Sequence, residues 1–195
     1  MYKRQELAYW YLRLNGFFPI SNFVVHKSEG VEHRSDVDVL AIRMPHVFEP
    51  VGGQTDDWDS YLCEHLDFAL PLAISCEVKT GRFLADTIFR REQLACAISR
   101  TGMVRQDHLS QTLDRLTGNA YAEAPSMCVV AKLLVSREET TGPFLNRTLR
   151  QVREFLEQRV KRYDYEKYAS RMFFPSALLQ NLIDHTHHEL GDRAA

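Results

Sequence analysis

The chain has 195 residues, 45% hydrophobic and 26% charged, with only 9 Gly and 7 Pro. That composition suits one folded domain with a sizeable core and excludes a disordered or low-complexity chain. No apolar run approaches membrane-spanning length, and the opening MYKRQELAYWYLRLNG lacks a signal peptide's apolar centre and cleavage site. The four cysteines (Cys63, Cys76, Cys96, Cys128) form no CxxC pair, and two of them lie in apolar segments. Reduced thiols, a cytoplasmic location and no membrane partner are therefore expected. The net charge of −2 is unevenly spread. Between Met44 and Cys76 there is no Lys or Arg but six acids: Glu49, Asp56, Asp57, Asp59, Glu64 and Asp67. Taking those six charges from −2 leaves +4 on the remainder, a mildly basic body able to meet phosphates.

Along the chain, Leu7, Trp10, Tyr11 and Leu14 mark one face of a helix over 3–15, stopped by Gly16. Strands are predicted over 19–26 and 35–43, joined by the turn KSEGVEHR. The acidic segment 45–70 reads as an insertion with a short helix at 58–69. A strand over 72–79 precedes a helix over 85–102, another over 107–117 and a buried strand over 126–136. Residues 144–188 read as helical, broken near Pro175. Three successive strands predict a meander, and a helix-linked fourth strand predicts a crossover. The expectation is an α/β fold: a mixed sheet flanked by helices over 1–136, with a helical extension over 137–195 packed on it.

Carboxylates stand in unusual places on two of these strands. Asp36, Asp38, Leu40 and Ile42 share one face of 35–43, while Glu77 and Lys79 share one face near the end of LAISCEVK. If the two strands are neighbours, Asp38 and Glu77 come close enough to repel at neutral pH. A divalent cation relieves that repulsion, and hard oxygen ligands favour Mg²⁺ or Mn²⁺. Lys79 then stands beside any metal-bound water, an arrangement suited to phosphodiester hydrolysis.

These residues resemble the PD-(D/E)xK nuclease superfamily, the restriction-endonuclease-like fold that includes Holliday-junction resolvases. The likeness is carried by DVLA (Asp38–Ala41) on one strand and EVK (Glu77–Lys79) on the next. A helix bearing Glu6 comes before the first strand, and one bearing Gln93 follows the Glu-x-Lys strand. The resemblance spans about residues 1–136. It departs from the pattern in having Val37 rather than Pro before Asp38 and in the long acidic insertion between the two motifs. It implies a metal-dependent nuclease acting on nucleic acid, more readily DNA, inside a restriction, repair or defence system. Asp38 and Glu77 would ligate Mg²⁺ with the Val78 carbonyl, Lys79 would activate or orient water, and Glu6 and Gln93 would assist. A partner subunit and self-association are both compatible with it.

Two other functions fit parts of the sequence. A nucleotidyltransferase would use Asp36 and Asp38 for its metals, but the upstream VVHKSEGVEH has no Gly-Ser and Glu77 and Lys79 gain no role. A non-catalytic nucleic-acid or protein-interaction module on a nuclease-like fold would have no need of Asp38, Glu77 and Lys79 together. Elsewhere the plain readings stand: Asp56, Asp57 and Asp59 as a solvated loop, and HTHHE (185–189) as a solvated or disordered tail. The basic residues Arg147, Arg150, Arg153, Arg159, Lys161 and Arg162 read as the solvated face of a helix, with a phosphate-tracking surface as the alternative.

Overall fold

The computed structural model describes residues 3–26, 33–163 and 176–191. Helix α1 (Lys3–Leu14) leads into β1 (Phe18–His26) and β2 (His33–Arg43); the insertion follows, carrying α2 (Ser60–His65). Then come β3 (Leu72–Lys79), α3 (Arg91–Thr101), α4 (Leu109–Thr117), β4 (Tyr121–Ala124) and β5 (Cys128–Ser136). β6 (Leu145–Thr148), α5 (Leu149–Arg162) and α6 (Ala177–Gly191) complete the chain. The predicted turn at 27–32 and the break at Pro175 lie outside the described residues.

The strands form one mixed sheet in the order β1-β2-β3-β5-β4, with β6 beside the other half of β5. β1, β2 and β3 are the expected antiparallel meander, and β5 lies parallel to β3 across the α3 crossover. Period-two alternation divides the core between two faces. Val39, Ala41, Ile74, Cys76, Leu133 and Val135 pack with Ala8, Tyr11 and Leu12 of α1 and with Val152, Leu156, Leu179 and Ile183 of α5 and α6. Ala73, Val130 and Leu134 pack on the opposite face with Leu94 and Ile98 of α3 and Leu113 and Leu116 of α4. All of β5 is buried, so each of its large apolar residues contributes about 1.5–3 kcal/mol of transfer free energy. At the end of α1, Gly16 adopts φ +81, and a Cβ there would sit 2.9 Å from Val47 Cγ1. Only glycine fits both the left-handed turn and the close approach.

Several elements differ from the sequence expectation. α3 begins at Arg91, not 85, because Phe89 takes φ +60 and Arg90 is extended. Strand β4 went unforeseen, being four residues long and half exposed; it pairs with the start of β5 through a tight turn in which Met127 N–H donates to the Ala124 carbonyl. The helical reading of 144–188 is overturned at β6, where Leu145–Thr148 pairs with Leu133–Ser136. Thr148 then caps α5, its hydroxyl accepting from Gln151 N–H while the Gln151 side chain accepts from Thr148 N–H. The C-terminal HTHHE belongs to helix α6 rather than to a disordered tail.

The solvated-loop reading of the acidic insertion holds at exposed Asp56 and fails at the two acids beside it. Asp57 and Asp59 are buried. Asp59 caps α2 by accepting from Tyr61 N–H and also accepts from Tyr11 Oη at 2.7 Å and Arg147 at 2.8 Å. Asp57 accepts from Gln54 N–H and from Tyr163 Oη, and Arg162 and Arg159 lie 3.2 and 3.5 Å from it. Arg159 is buried too, donating to the carbonyls of Leu14, Gly52 and Asp57. Much of the basic stretch is thus the counter-charge of the acidic one, and Arg147 lies on β6 rather than on the helix.

Candidate active site

β2 follows β1 as far as the His26–His33 pair, but its pairing with β3 stops at Val39–Cys76. Beyond that point β3 continues against β5, matching Glu77 to Leu134 and Lys79 to Ser136. The two strands fork there, and the next facing residues are Asp38 and Glu77. The fork would leave the Val78 N–H without a strand partner; Asp38 Oδ2 accepts it at 2.7 Å. Across β1, the register puts Asn22 opposite Asp38, and Asn22 takes φ +53, leaving that pair out of the ladder that runs from Phe18–Ile42 to Val25–Ser35. A non-glycine residue in the left-handed region is a local cost often found beside functional groups.

Lys79 joins the two carboxylates. Its Nζ lies 2.6 Å from Glu77 Oε2 and 3.6 Å from Asp38 Oδ2, so the carboxylates flank one cation. Their remaining oxygens are held by amides from the two helix layers. Gln5 of α1 donates to Asp38 Oδ1, and Gln93 of α3 donates to Glu77 Oε1 at 2.8 Å. An ionised carboxylate only accepts, so each amide must present its nitrogen there.

Burial separates the three charged groups. The Glu77 side chain is 4% exposed and that of Asp38 13%, whereas Lys79 is 37% exposed and reaches solvent. Burial pushes the Glu77 carboxyl up to about 7, only partly opposed by Lys79 and Gln93 and reinforced by the charge of Asp38. Burial pulls the Lys79 ammonium down, but Glu77 and Asp38 more than reverse this and its pKa is raised. At neutral pH Glu77 is therefore poised between its two protonation states, with a cation as the natural way to fix it as a carboxylate.

Asp38, Glu77, Lys79 and Gln93 thus converge, with Val78 held against Asp38 through its N–H. Glu6 does not join them: its carboxylate accepts from Ser176 Oγ at 2.5 Å, and the same oxygen accepts from Trp10 Nε1 and caps α6 at Leu179 N–H. The backbone of Asp36 continues the β1–β2 ladder opposite Val24, while its side chain lies outside the described residues. The residue missed from α1 is Gln5. It stands three and seven residues before the buried Ala8 and Leu12, so it extends a core-facing stripe where a polar residue needs a partner. The predicted stripe through Trp10, Tyr11 and Leu14 is buried, and it drew attention to the neighbouring acid instead.

Among the described residues no three His, Cys, Asp or Glu side chains gather as a metal-holding group. The fork offers two carboxylates and the Val78 main chain, a donor set compatible with Mg²⁺, which binds through one or two carboxylates and retains waters for substrate oxygens to replace. Compared with known proteins, the chain matches no protein family, no curated protein and no solved structure.

Proposed function

We propose that the protein is a metal-dependent nuclease that hydrolyses phosphodiester bonds in nucleic acid, with DNA as the favoured substrate. The observation that carries this reading is the meeting of Asp38, Glu77 and Lys79 at the β2–β3 fork, with every other carboxylate oxygen oriented by an amide. The sequence of elements bearing the PD-(D/E)xK resemblance supports it: α1, then Asp38 on β2, Glu-x-Lys on β3, Gln93 on α3 and a parallel strand, β5.

Asp38 and Glu77 are the residues that would hold Mg²⁺ or Mn²⁺, with the Val78 carbonyl as a further ligand by resemblance. The ion would lower the pKa of a bound water and polarise the phosphoryl oxygen. The chain's own contribution is positional. Gln5 and Gln93 fix the rotamers of the two carboxylates before substrate arrives, so no reorganisation is spent during reaction. Lys79, tethered to both acids but open to solvent, orients the attacking water and places positive charge where the phosphorane oxygens become more negative. Arg4, donating to Thr80 Oγ1, and exposed Arg82 add cations beside Lys79 that can meet backbone phosphates without reading sequence. Cleavage is consequently expected to weaken steeply with salt.

The test is Mg²⁺- and Mn²⁺-dependent cleavage of supercoiled, linear, single-stranded and branched DNA, with RNA alongside. Wild type should cut at least one of these and Lys79→Ala none. Equal cutting by both would remove Lys79 from the mechanism, and metal-independent cutting would remove the metal.

A further inference from the structure

A second polar feature lies on the α3–α4 face and belongs to neither the fork nor the insertion. A cavity of about 450 Å³ lies between α3, α4 and β5, floored by apolar side chains including Phe89, Leu94, Leu113 and Leu116. That volume falls within the usual range for small-molecule sites. Its charged lining is cationic: Lys132, Arg90 and Arg91 line it, and no Asp or Glu among the described residues does.

Lys132 is the unusual member. It sits in the middle of fully buried β5 and is 3% exposed, with no carboxylate within ion-pair reach among the described residues. Its Nζ donates to the Leu116 carbonyl at 2.7 Å, in the last turn of α4. That single acceptor leaves two of its three N–H groups without a partner among the described residues, although a buried ammonium ordinarily needs full compensation. Burial pulls its pKa down to about 8, so at neutral pH it is still mostly charged. Ser75, its neighbour in the β3–β5 register, is a buried hydroxyl with no hydrogen-bond partner among the described residues. Also lining the cavity, Arg91 is drawn to Asp114 and Ser110, whereas Arg90 is exposed and pairs with no acid among the described residues. Phe89, just before the two arginines, holds φ +60, a costly conformation for an aromatic residue, which turns the chain sharply ahead of α3.

We infer that this cavity is a binding site for a small molecule that joins an anionic group to an aromatic or aliphatic body. The apolar wall takes the body, while the anion meets Lys132 from inside and Arg90 from the rim. The inference is independent of the nuclease reading: none of Asp38, Glu77, Lys79 and Gln93 lines the cavity, although Leu94 follows Gln93 on α3.

The test is calorimetry and ligand-observed NMR on the intact chain, with phenyl phosphate and benzoate as probes and inorganic phosphate and phenol as controls. At least one of the two probes should bind at least about tenfold more tightly than either control, and the tighter of the two identifies the preferred head group. Lys132→Met, which keeps the side-chain volume, should weaken that binding about ten- to hundredfold, the usual worth of a charge-assisted hydrogen bond. Arg90→Glu, a change at an exposed position that leaves the fold untouched, should weaken it as well. No binding of either probe by wild type up to about 10 mM would overturn the inference. So would unchanged affinity in Arg90→Glu, or in Lys132→Met where circular dichroism shows it folded.

Discussion

Among the described residues, two buried clusters bring Asp or Glu against Lys or Arg, and they are resolved in opposite ways. In the insertion, Asp57 and Asp59 are saturated by the protein: tyrosine hydroxyls, backbone N–H groups and guanidinium groups occupy their oxygens. Burial alone would raise the Asp57 carboxyl, but Tyr163, Gln54, Arg159 and Arg162 more than reverse it, and its pKa falls below the ordinary value. At the fork, Glu77 has one amide and one partly exposed ammonium, and burial wins, lifting it to about 7. Identical charge types therefore make a finished clasp in one place and an unfinished site in the other. What decides is the number of fixed donors per carboxylate and whether the cation can leave: Arg159 is buried, while Lys79 reaches solvent.

The largest expected effect lies at the fork. Lys79→Ala should lower turnover by about 10²–10⁴-fold, with the circular dichroism spectrum and melting temperature close to wild type. A large loss of stability instead would make Lys79 structural and erase the contrast. In the clasp the effects should reverse. Asp59→Ala strands Arg147 and removes the α2 cap, and should cost about 3–5 kcal/mol in denaturant unfolding while leaving cleavage per folded molecule intact.

Stability should also depend on pH through Glu77. Its carboxyl is raised from 4.5 to about 7, so without metal the folded state binds the extra proton between those values. The associated stability is full below about pH 4.5 and is lost as pH rises through 7, by about 3 kcal/mol at most. Glu77→Gln should flatten that slope in metal-free urea titrations across pH 4–8; an unchanged slope would mean Glu77 titrates normally. Mg²⁺ binding must expel the same proton, so apparent affinity should fall about tenfold per pH unit below 7. The smallest effect is at Gln93→Ala, which frees Glu77 Oε1 from one hydrogen bond. A drop of about five- to tenfold in kcat with little change in melting temperature would fit one lost positioning bond.

Much of the fork was legible in the sequence because charges on apolar strands are conspicuous. Asp38 and Glu77 gave themselves away by period-two placement, and β3 is bounded at the predicted residues, Leu72 and Lys79. Gln5 was not legible, since a neutral amide at a helix start carries no such signal and Glu6, one residue on, does. The pairing of the insertion with α5 was also hidden. Asp57 and Arg159 are 102 residues apart in sequence, and local composition makes each look like solvated surface. β6 was obscured because four residues with two buried positions give neither period enough length to show.

The most direct test of the contrast is a Mn²⁺ titration followed by electron paramagnetic resonance, on wild type, Asp38→Asn, Glu77→Gln and Asp59→Asn. The account predicts Mn²⁺ binding by wild type, weakened at least about tenfold in Asp38→Asn and Glu77→Gln and retained by folded Asp59→Asn. Binding that survives both fork substitutions, or that is lost only in Asp59→Asn, would contradict it.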